Sequence, residues 1–349
     1  MILLSNFKFV IKKIFGHFKK CSRTYSVTDL NTVSNTPVYN NFDTVFIFYL
    51  KNNLDLFYRG VISWFNKNGF FPVVGIEIEF YISEKSNNSE FYESVRNFCL
   101  KNNISILGID KELGSNQVEI KFDKYTNLEK LISDYNILKN FLIDNFSATF
   151  STAPLLNDAF SALQININLV DKYGNNLFAR NIDNLGNKIE SDLLINSVNG
   201  VLYTTNIFLP FYINSEDCLR RFDLDRNNNL YSSGKIPAPT FISWGINNRT
   251  TSIRIPTPKD FTNYEEIDKR SRRIEFRIPS SDADVKMCIF GVLISILYGI
   301  KNDLNIYEKT NFNVLKNNEN LKRVYVENTS MLDENIYNFF REILFLKDL

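Results

Sequence analysis

The chain has 349 residues, 44% of them hydrophobic and 23% charged, with a formal net charge of +1. That composition supports a large buried core and excludes the charge imbalance of a disordered tail. A near-neutral balance with one basic cluster excludes nucleic acid as the main partner. The longest apolar stretch, Met287 to Ile300, is about 14 residues where a bilayer span needs roughly 20, so no membrane partner is expected.

The four cysteines (Cys21, Cys99, Cys218, Cys288) are scattered and form no CxxC pair. Neither a zinc site nor a disulfide framework follows, and a reducing, cytoplasmic compartment fits best. The first 28 residues carry Lys8, Lys12, Lys13, Lys19, Lys20 and Arg23 among Phe and Ile, with no acid before Asp29. They read either as an organelle-targeting or membrane-surface segment, or as an ordinary basic helix. Ser26 to Asp43 is a polar linker with Pro37, so residues 1–44 form a terminal segment and 45–349 the folded domain.

Leu54 to Asn68 has apolar residues at helical spacing, with Gly69 as the stop. Five segments then alternate with period two. In Val74 to Ile82, Ile76, Ile78 and Phe80 leave Glu77 and Glu79 on the other face, and in Gln117 to Phe122, Val118, Ile120 and Phe122 oppose Glu119. In Ser161 to Val170 the polar face holds Gln164, Asn166 and Asn168. Arg254 stands alone between Ile253 and Ile255 in Thr251 to Pro256, and Arg272 to Pro279 sets Ile274, Phe276 and Ile278 against Arg273, Glu275 and Arg277. Leu128 to Phe146, Leu177 to Leu202, Ala283 to Leu304 and Met331 to Leu346 predict helices, the last with Asn328, Thr329 and Ser330 as cap candidates. Arg221 to Gly234 and Asn311 to Asn320 read as Asn-rich loops.

Strands with an apolar back and a charged front describe an α+β chain, and each charged residue singly fits a half-solvated sheet laced with ion pairs. Together they ask for more. Glu77 and Glu79 stand about 7 Å apart on one strand face, and a divalent cation is the natural counter-ion for such a pair; with arginines near, Mg²⁺ or Mn²⁺ carrying nucleotide phosphates fits. A carboxylate-metal nuclease remains a minor alternative.

Four motifs in order resemble those of the glutamine synthetase family. They are Gly75-Ile76-Glu77-Ile78-Glu79-Phe80, Glu112-Leu-Gly-Ser-Asn-Gln117-Val-Glu119, Asn248-Arg249-Thr-Thr-Ser-Ile-Arg254-Ile-Pro256 and Arg273-Ile-Glu275-Phe-Arg277-Ile-Pro279. The resemblance covers roughly Asn53 to the C-terminus. It implies a curved, mostly antiparallel sheet with helices on its outer face, and an ATP-dependent ligase joining an acid such as glutamate to ammonia or another amine through an acyl phosphate. It assigns Glu79, Glu112 and Glu119 to one metal ion, and Glu77, Glu275 and Gln164 to a second on the ATP phosphates. Arg249, Arg254 and Arg273 fall on the phosphoryl group, Arg277 on the substrate carboxylate, and Asn168 in the nucleotide set. Positioning and charge neutralisation carry phosphoryl transfer, so no Ser/His or Cys/His arrangement is needed.

The chain departs from the family pattern at several places. Gln164 stands where the family has a metal-ligating histidine, and the only histidine is His17. Cys218 stands at a substrate-binding arginine, with Arg220 and Arg221 close by. Pro237 stands at the loop glutamate that helps deprotonate ammonium, and Asp284-Val285-Lys286 replaces an Asn-Pro-Tyr. The family's small β domain, which completes a neighbour's site, has no counterpart before the matching region, so the ring is not implied although a homo-oligomer stays open. A catalytically degenerate member that binds nucleotide or a partner is the alternative.

Overall fold

The computed structural model describes residues 50–83, 89–155, 158–214, 216–257 and 269–324, all within one compact unit, Val38–Leu349. The basic N-terminus, the linker, His17 and the helix expected over Met331 to Leu346 lie outside the described residues.

Helix α1 (Leu54–Lys67) ends at Gly69, whose φ of +77° only glycine adopts cheaply. Strand β1 (Phe71–Tyr81) follows, then α2 (Ser89–Lys101), β2 (Ile106–Lys111) and β3 (Gln117–Phe122). Helix α3 (Leu128–Phe146) starts at Asn127, whose side chain accepts from the Lys130 N–H, and leads to β4 (Leu163–Val170).

The helix expected from Leu177 is half hairpin. A two-stranded ribbon, β5 (Asn181–Ile182) and β6 (Lys188–Ile189), precedes α4 (Asp192–Thr204). Asp183 closes the turn by accepting from the Leu185 and Asn187 N–H groups, and Gly186 supplies a φ of +82°. The Ser191 hydroxyl, accepting from Leu194 N–H, begins the helix. The loop expected at Arg221 to Gly234 is likewise helical. Short helices α5 (Leu209–Tyr212) and α6 (Glu216–Leu219) and a 3₁₀ turn (Arg220–Phe222) lead to α7 (Leu224–Ser232), capped by Asp223 on Arg226 N–H. Asparagines there suit caps and turns, which hid the helix.

Strands β7 (Trp244–Ile246), β8 (Ile253–Ile255) and β9 (Ile274–Phe276) complete a seven-stranded sheet of order β2-β3-β1-β4-β9-β8-β7. Only the β7–β8 pair is parallel. The expected α+β, mostly antiparallel sheet is therefore present, with β2 and β7 added at its edges. The apolar back of β1, β3, β4, β8 and β9, including Ile76, Ile120, Ile165, Ile253 and Phe276, is fully buried. Helices α1 and α3 pack on it together with α8 (Val285–Lys301), and each side chain taken from water contributes about 1.5–3 kcal/mol.

Helix α8 is apolar on all sides and buried over nearly its whole length, as expected of a core helix and not of an anchor. Among the described residues no helix is long and apolar enough to cross a membrane. Its closest neighbour is α4. A Cβ on Gly200 would stand 2.7 Å from the Gly299 Cα, and one on Gly299 would stand 2.8 Å from the Gly200 Cα, so the two backbones touch where neither residue has a side chain.

Candidate active site

Burying the apolar face leaves the other face of the sheet as the floor of a cavity of about 210 Å³. It is lined by Glu77 and Glu79 of β1, Glu112 after β2, Glu119 and Lys121 of β3 and Gln164 of β4. Arg249, Arg254, Arg273, Glu275 and Arg277 from the region of β8 and β9 line it as well. All the residues expected in the site meet here except Asn168. That side chain lies half-buried farther along β4, opposite Val73, and is not among the lining residues.

The floor is electrically polarised. On one side Glu79 and Glu119 are direct cross-strand partners. Like charges so placed repel, and burial adds to the effect. Burial, and then Glu112, push the Glu79 carboxyl up to about 7, against the pull of Arg221 and of its two hydrogen-bond donors. Burial, then Glu77 and Glu79, push Glu119 well above the usual carboxylate range, with Lys121 opposing.

Glu112 is delivered by a tight turn whose sequence has a physical reading. Its N–H bonds Gln117 O (2.9 Å), and Gly114 N–H donates to the Gln117 Oε1 (3.0 Å). The buried Gln117 amide then donates to Phe160 O (2.9 Å), tying the turn to the loop before β4. A Cβ on Gly114 would collide with the Tyr81 hydroxyl, which itself donates to Ala159 O. The internal glutamine and glycine of this motif are thus clamps for the acid.

The opposite side is arginine-rich. Arg254 Nη1 donates to Glu275 (2.7 Å), and Arg277 Nε lies 3.6 Å from the same carboxylate. Arg277 also donates to the Arg249 and Thr251 carbonyls. Burial lowers the Arg273 and Arg277 guanidinium groups from their usual range, with Glu275 resisting in both. Between the halves, β4 presents amides. Gln164 Nε2 donates to Glu79 (2.9 Å), and Asn166 donates to Glu77 (3.0 Å) while accepting from Arg273 Nε (2.7 Å).

Three residues that the strand pattern did not single out as site members shape this cavity, Lys121 and Arg221 in its lining and Asn166 through its bonds to Glu77 and Arg273. Lys121, two residues beyond Glu119 and so on the same face, bridges Glu119 and Asp110, each at 2.8 Å. Asn166 shares its face with Gln164, and period two would have found both. Arg221 had no such signal. Its side chain is fully buried, and Nη1 donates to Ile278 O (2.7 Å) and Pro279 O (2.8 Å), with Nη2 on Arg277 O (3.3 Å). Burial lowers it to about 10, although Glu79 favours its charge. Cys218 is buried beside Asp282 and Arg220 is exposed; neither lines the cavity.

The last wall is the segment Ile236 to Pro239. Ala238 packs on Phe160 and Leu230, and its N–H donates to Asn227 Oδ1 (2.7 Å). The Asn227 amide also donates to Arg221 O and Asp223 O. Lys235 pairs with Asp158, whose carboxylate holds the Ser115 and Ala159 N–H groups. Pro237 is therefore part of a pinned, apolar wall.

The two expected ion sites fare differently. Among the described residues no three His, Cys, Asp or Glu side chains stand ready-made around an ion. Glu79, Glu112 and Glu119 nonetheless fit one: they share a wall and repel, and among the described residues Glu112 and Glu119 are held by the Leu113 N–H and by Lys121. Hard oxygens in that number suit Mg²⁺ or Mn²⁺. Glu77, Gln164 and Glu275 do not fit a second. Gln164 turns its donor toward Glu79, Asn166 holds Glu77, and Glu275 is neutralised by arginines. The guanidinium groups of Arg249, Arg254 and Arg273 suit the oxygens of a nucleotide phosphate.

A model of the glutamine synthetase catalytic domain matches residues 83–340, most of the chain, and begins just after the β1 acids. The chain belongs to the glutamine synthetase catalytic-domain family. Members of that family are ATP-dependent ligases that form C–N bonds and use divalent metal ions. Among similar proteins, the gamma-glutamylputrescine synthetase of Escherichia coli is 24% identical over 286 residues, 72% of this chain and 56% of its own length. The glutamate–isopropylamine ligase of a Pseudomonas species is 27% identical over 224 residues, 63% and 44% of the two chains. The glutamine synthetase of Thermococcus kodakarensis is 24% identical over 291 residues, 72% and 58%. The chain thus spans about half the length of the curated relatives it matches. A crystal structure of a glutamine synthase homolog superposes with a TM-score of 0.59 at 12% identity, over 82% of this chain and 64% of that one, so the fold is shared.

Proposed function

We propose that this chain is an ATP-dependent carboxylate–amine ligase that activates glutamate, or a closely related acid, and joins it to an amine. The observation that carries the reading is the polarised cavity: acids from β1, β3 and the β2–β3 turn face arginines from the β8–β9 region across about 210 Å³. The named relatives support the acid, since two carry glutamate or glutamyl in their names while their amines differ.

In this reading Glu79, Glu112 and Glu119 hold a divalent ion, which when bound would neutralise the substrate carboxylate and the incoming phosphoryl group. Arg249, Arg254 and Arg273 surround the γ-phosphoryl and offset its charge, the main source of rate in such transfers. Arg277, between Glu275 and Glu79 in the field it feels, pairs with the second carboxylate of the acid. A carboxylate oxygen of the acid attacks the γ-phosphorus and ADP leaves. The amine nitrogen then attacks the acyl carbon, phosphate leaves with the C–O bond electrons, and the nitrogen gives up a proton.

A second reading, a nucleotide-binding member without turnover, is favoured by Pro237, which puts no carboxylate on the wall where the family takes that proton. Purified protein supplied with ATP, Mn²⁺, glutamate and a panel of amines (ammonia, isopropylamine, putrescine) separates the two. Amine-dependent phosphate release that Glu79→Ala abolishes supports the ligase. Nucleotide binding with no phosphate or ADP formed for any amine sinks it.

A further inference from the structure

We infer that this site works with one divalent ion, held by Glu79, Glu112 and Glu119, and that guanidinium groups supply the positive charge at Glu77 and Glu275 where a second ion would sit. The inference rests on the ligase reading for the identity of the site, but its argument is a separate one of charge and hydrogen-bond valence.

Glu77 and Glu275 face Arg273, Arg254 and Arg277. The links are direct for Glu275, at 2.7 Å to Arg254 and 3.6 Å to Arg277. For Glu77 the link runs through Asn166, and that amide cannot reverse. An arginine only donates and a carboxylate only accepts, so Asn166 must point Oδ1 to Arg273 Nε and Nδ2 to Glu77. Two negative groups against three positive ones leave this half of the floor with no deficit for a cation to fill. It would have to displace arginines from a carboxylate that is only 3% exposed. Gln164 adds no compensation, since its Nε2 is committed to Glu79 (2.9 Å) and a neutral amide oxygen is a poor replacement for imidazole.

The other half has the opposite balance. Glu79 and Glu119 are cross-strand partners, Glu112 adds a third negative charge, Glu77 also repels Glu119, and against these acids stand Lys121 and the buried Arg221, with Arg277 shared between Glu79 and Glu275. Opposed carboxylates of this kind repel when both are ionised, and a cation between them, or a proton on one, relieves the repulsion. The sheet therefore separates its charge into a half that calls for an ion and a half that already contains its own counter-charges.

The test is an ion count. Mn²⁺ is titrated into the full chain and the free aquo-ion followed by EPR, first alone and then with glutamate and a non-hydrolysable ATP analogue. One ion per chain in the first titration is expected, absent in Glu79→Gln and retained in Glu275→Gln. An additional ion that appears only with the analogue and persists in Glu275→Gln is held by the phosphates and agrees with the inference. Two ions without nucleotide, no ion at all, or a nucleotide-dependent ion that Glu275→Gln removes overturns it. Should Glu275→Gln fail to fold, the wild-type count and Glu79→Gln still decide. Phosphate release on the same preparation keeps the two claims apart: turnover with two ions bound before nucleotide, or with a second ion that Glu275→Gln removes, overturns the inference and leaves the ligase, whereas one ion without turnover does the reverse.

Discussion

Arg221→Met is the substitution on which the architecture of the site can be tested most sharply. Methionine preserves most of the buried volume, so the change isolates the guanidinium. Three main-chain carbonyls in a row, Arg277 O, Ile278 O and Pro279 O, lose their donor inside the protein. Two of those bonds are short and charge-assisted, and each contributes about 1.5–3 kcal/mol. Against that loss stands the relief of no longer burying a guanidinium whose Nε has no partner, which returns several kcal/mol. The balance is a destabilisation of up to about 3 kcal/mol, the lower end of what breaking a buried charged cluster costs. Urea unfolding followed by the fluorescence of Trp64 and Trp244 measures it, with an unchanged slope as the sign that only stability moved. Arg221→Lys, which keeps the charge but not the fork, should fall between the two. If Arg221→Met unfolds within about 0.5 kcal/mol of wild type, the residue does not staple the end of β9, and the account of how Arg277 is held fails.

Other substitutions probe separate parts of the argument. Glu119→Gln removes both the repulsion from Glu79 and the ion pair with Lys121, which oppose each other, so the stability of the metal-free protein should move by less than about 1 kcal/mol by calorimetry while Mn²⁺ affinity is lost. Gly299→Ala drives a methyl group into the backbone of α4; the cost should reach about 3 kcal/mol even after the roughly 1 kcal/mol that alanine gains in a helix, read as a lowered Tm. For Asp158, burial raises the carboxyl, but Lys235 and the Ser115 and Ala159 N–H groups outweigh it and hold it near 2. A depressed acid stabilises the fold above its unfolded pKa of about 3.8 and loses that contribution as pH falls toward 2. Asp158→Asn should therefore be less stable than wild type at pH 6, with the gap in denaturant midpoint closing below pH 4. A gap that does not change with pH would remove the ion pair from the explanation.

Much of the site could be read from residue order because a half-buried sheet writes itself with period two. Once Ile76, Ile78 and Phe80 are assigned to the core, Glu77 and Glu79 have to share the open face, and the same logic places Glu119, Arg254, Arg273, Glu275 and Arg277. Asn168 shows the limit of that logic. It shares the face of Gln164 and Asn166, but a strand of eight residues outruns the cavity it borders. The ribbon at Asn181 to Ile189 was hidden because its few apolar residues mimic a helical period, while the decisive features, a left-handed glycine and an aspartate-capped turn, are local. Arg221 was legible only as a neighbour of the position where the family has a substrate-binding arginine, and its burial was not. It lies in a 3₁₀ turn, where no periodicity separates inside from outside, and its partners are carbonyls some 57 residues away.

The side chain of Asn227 makes three of these parts into one mechanical unit. Its oxygen holds Ala238 in the apolar wall, and its nitrogen holds the carbonyl of Arg221, whose guanidinium in turn holds the end of β9. Reshaping the wall to admit a bulkier amine is accordingly not a local operation: a shift of the proline segment is transmitted through one amide to the strand that carries Glu275 and Arg277. Selection or engineering for a new nucleophile would thus have to recover phosphoryl-side geometry at the same time, and compensating changes are to be sought around Asn227, on α7, before they are sought in the cavity itself.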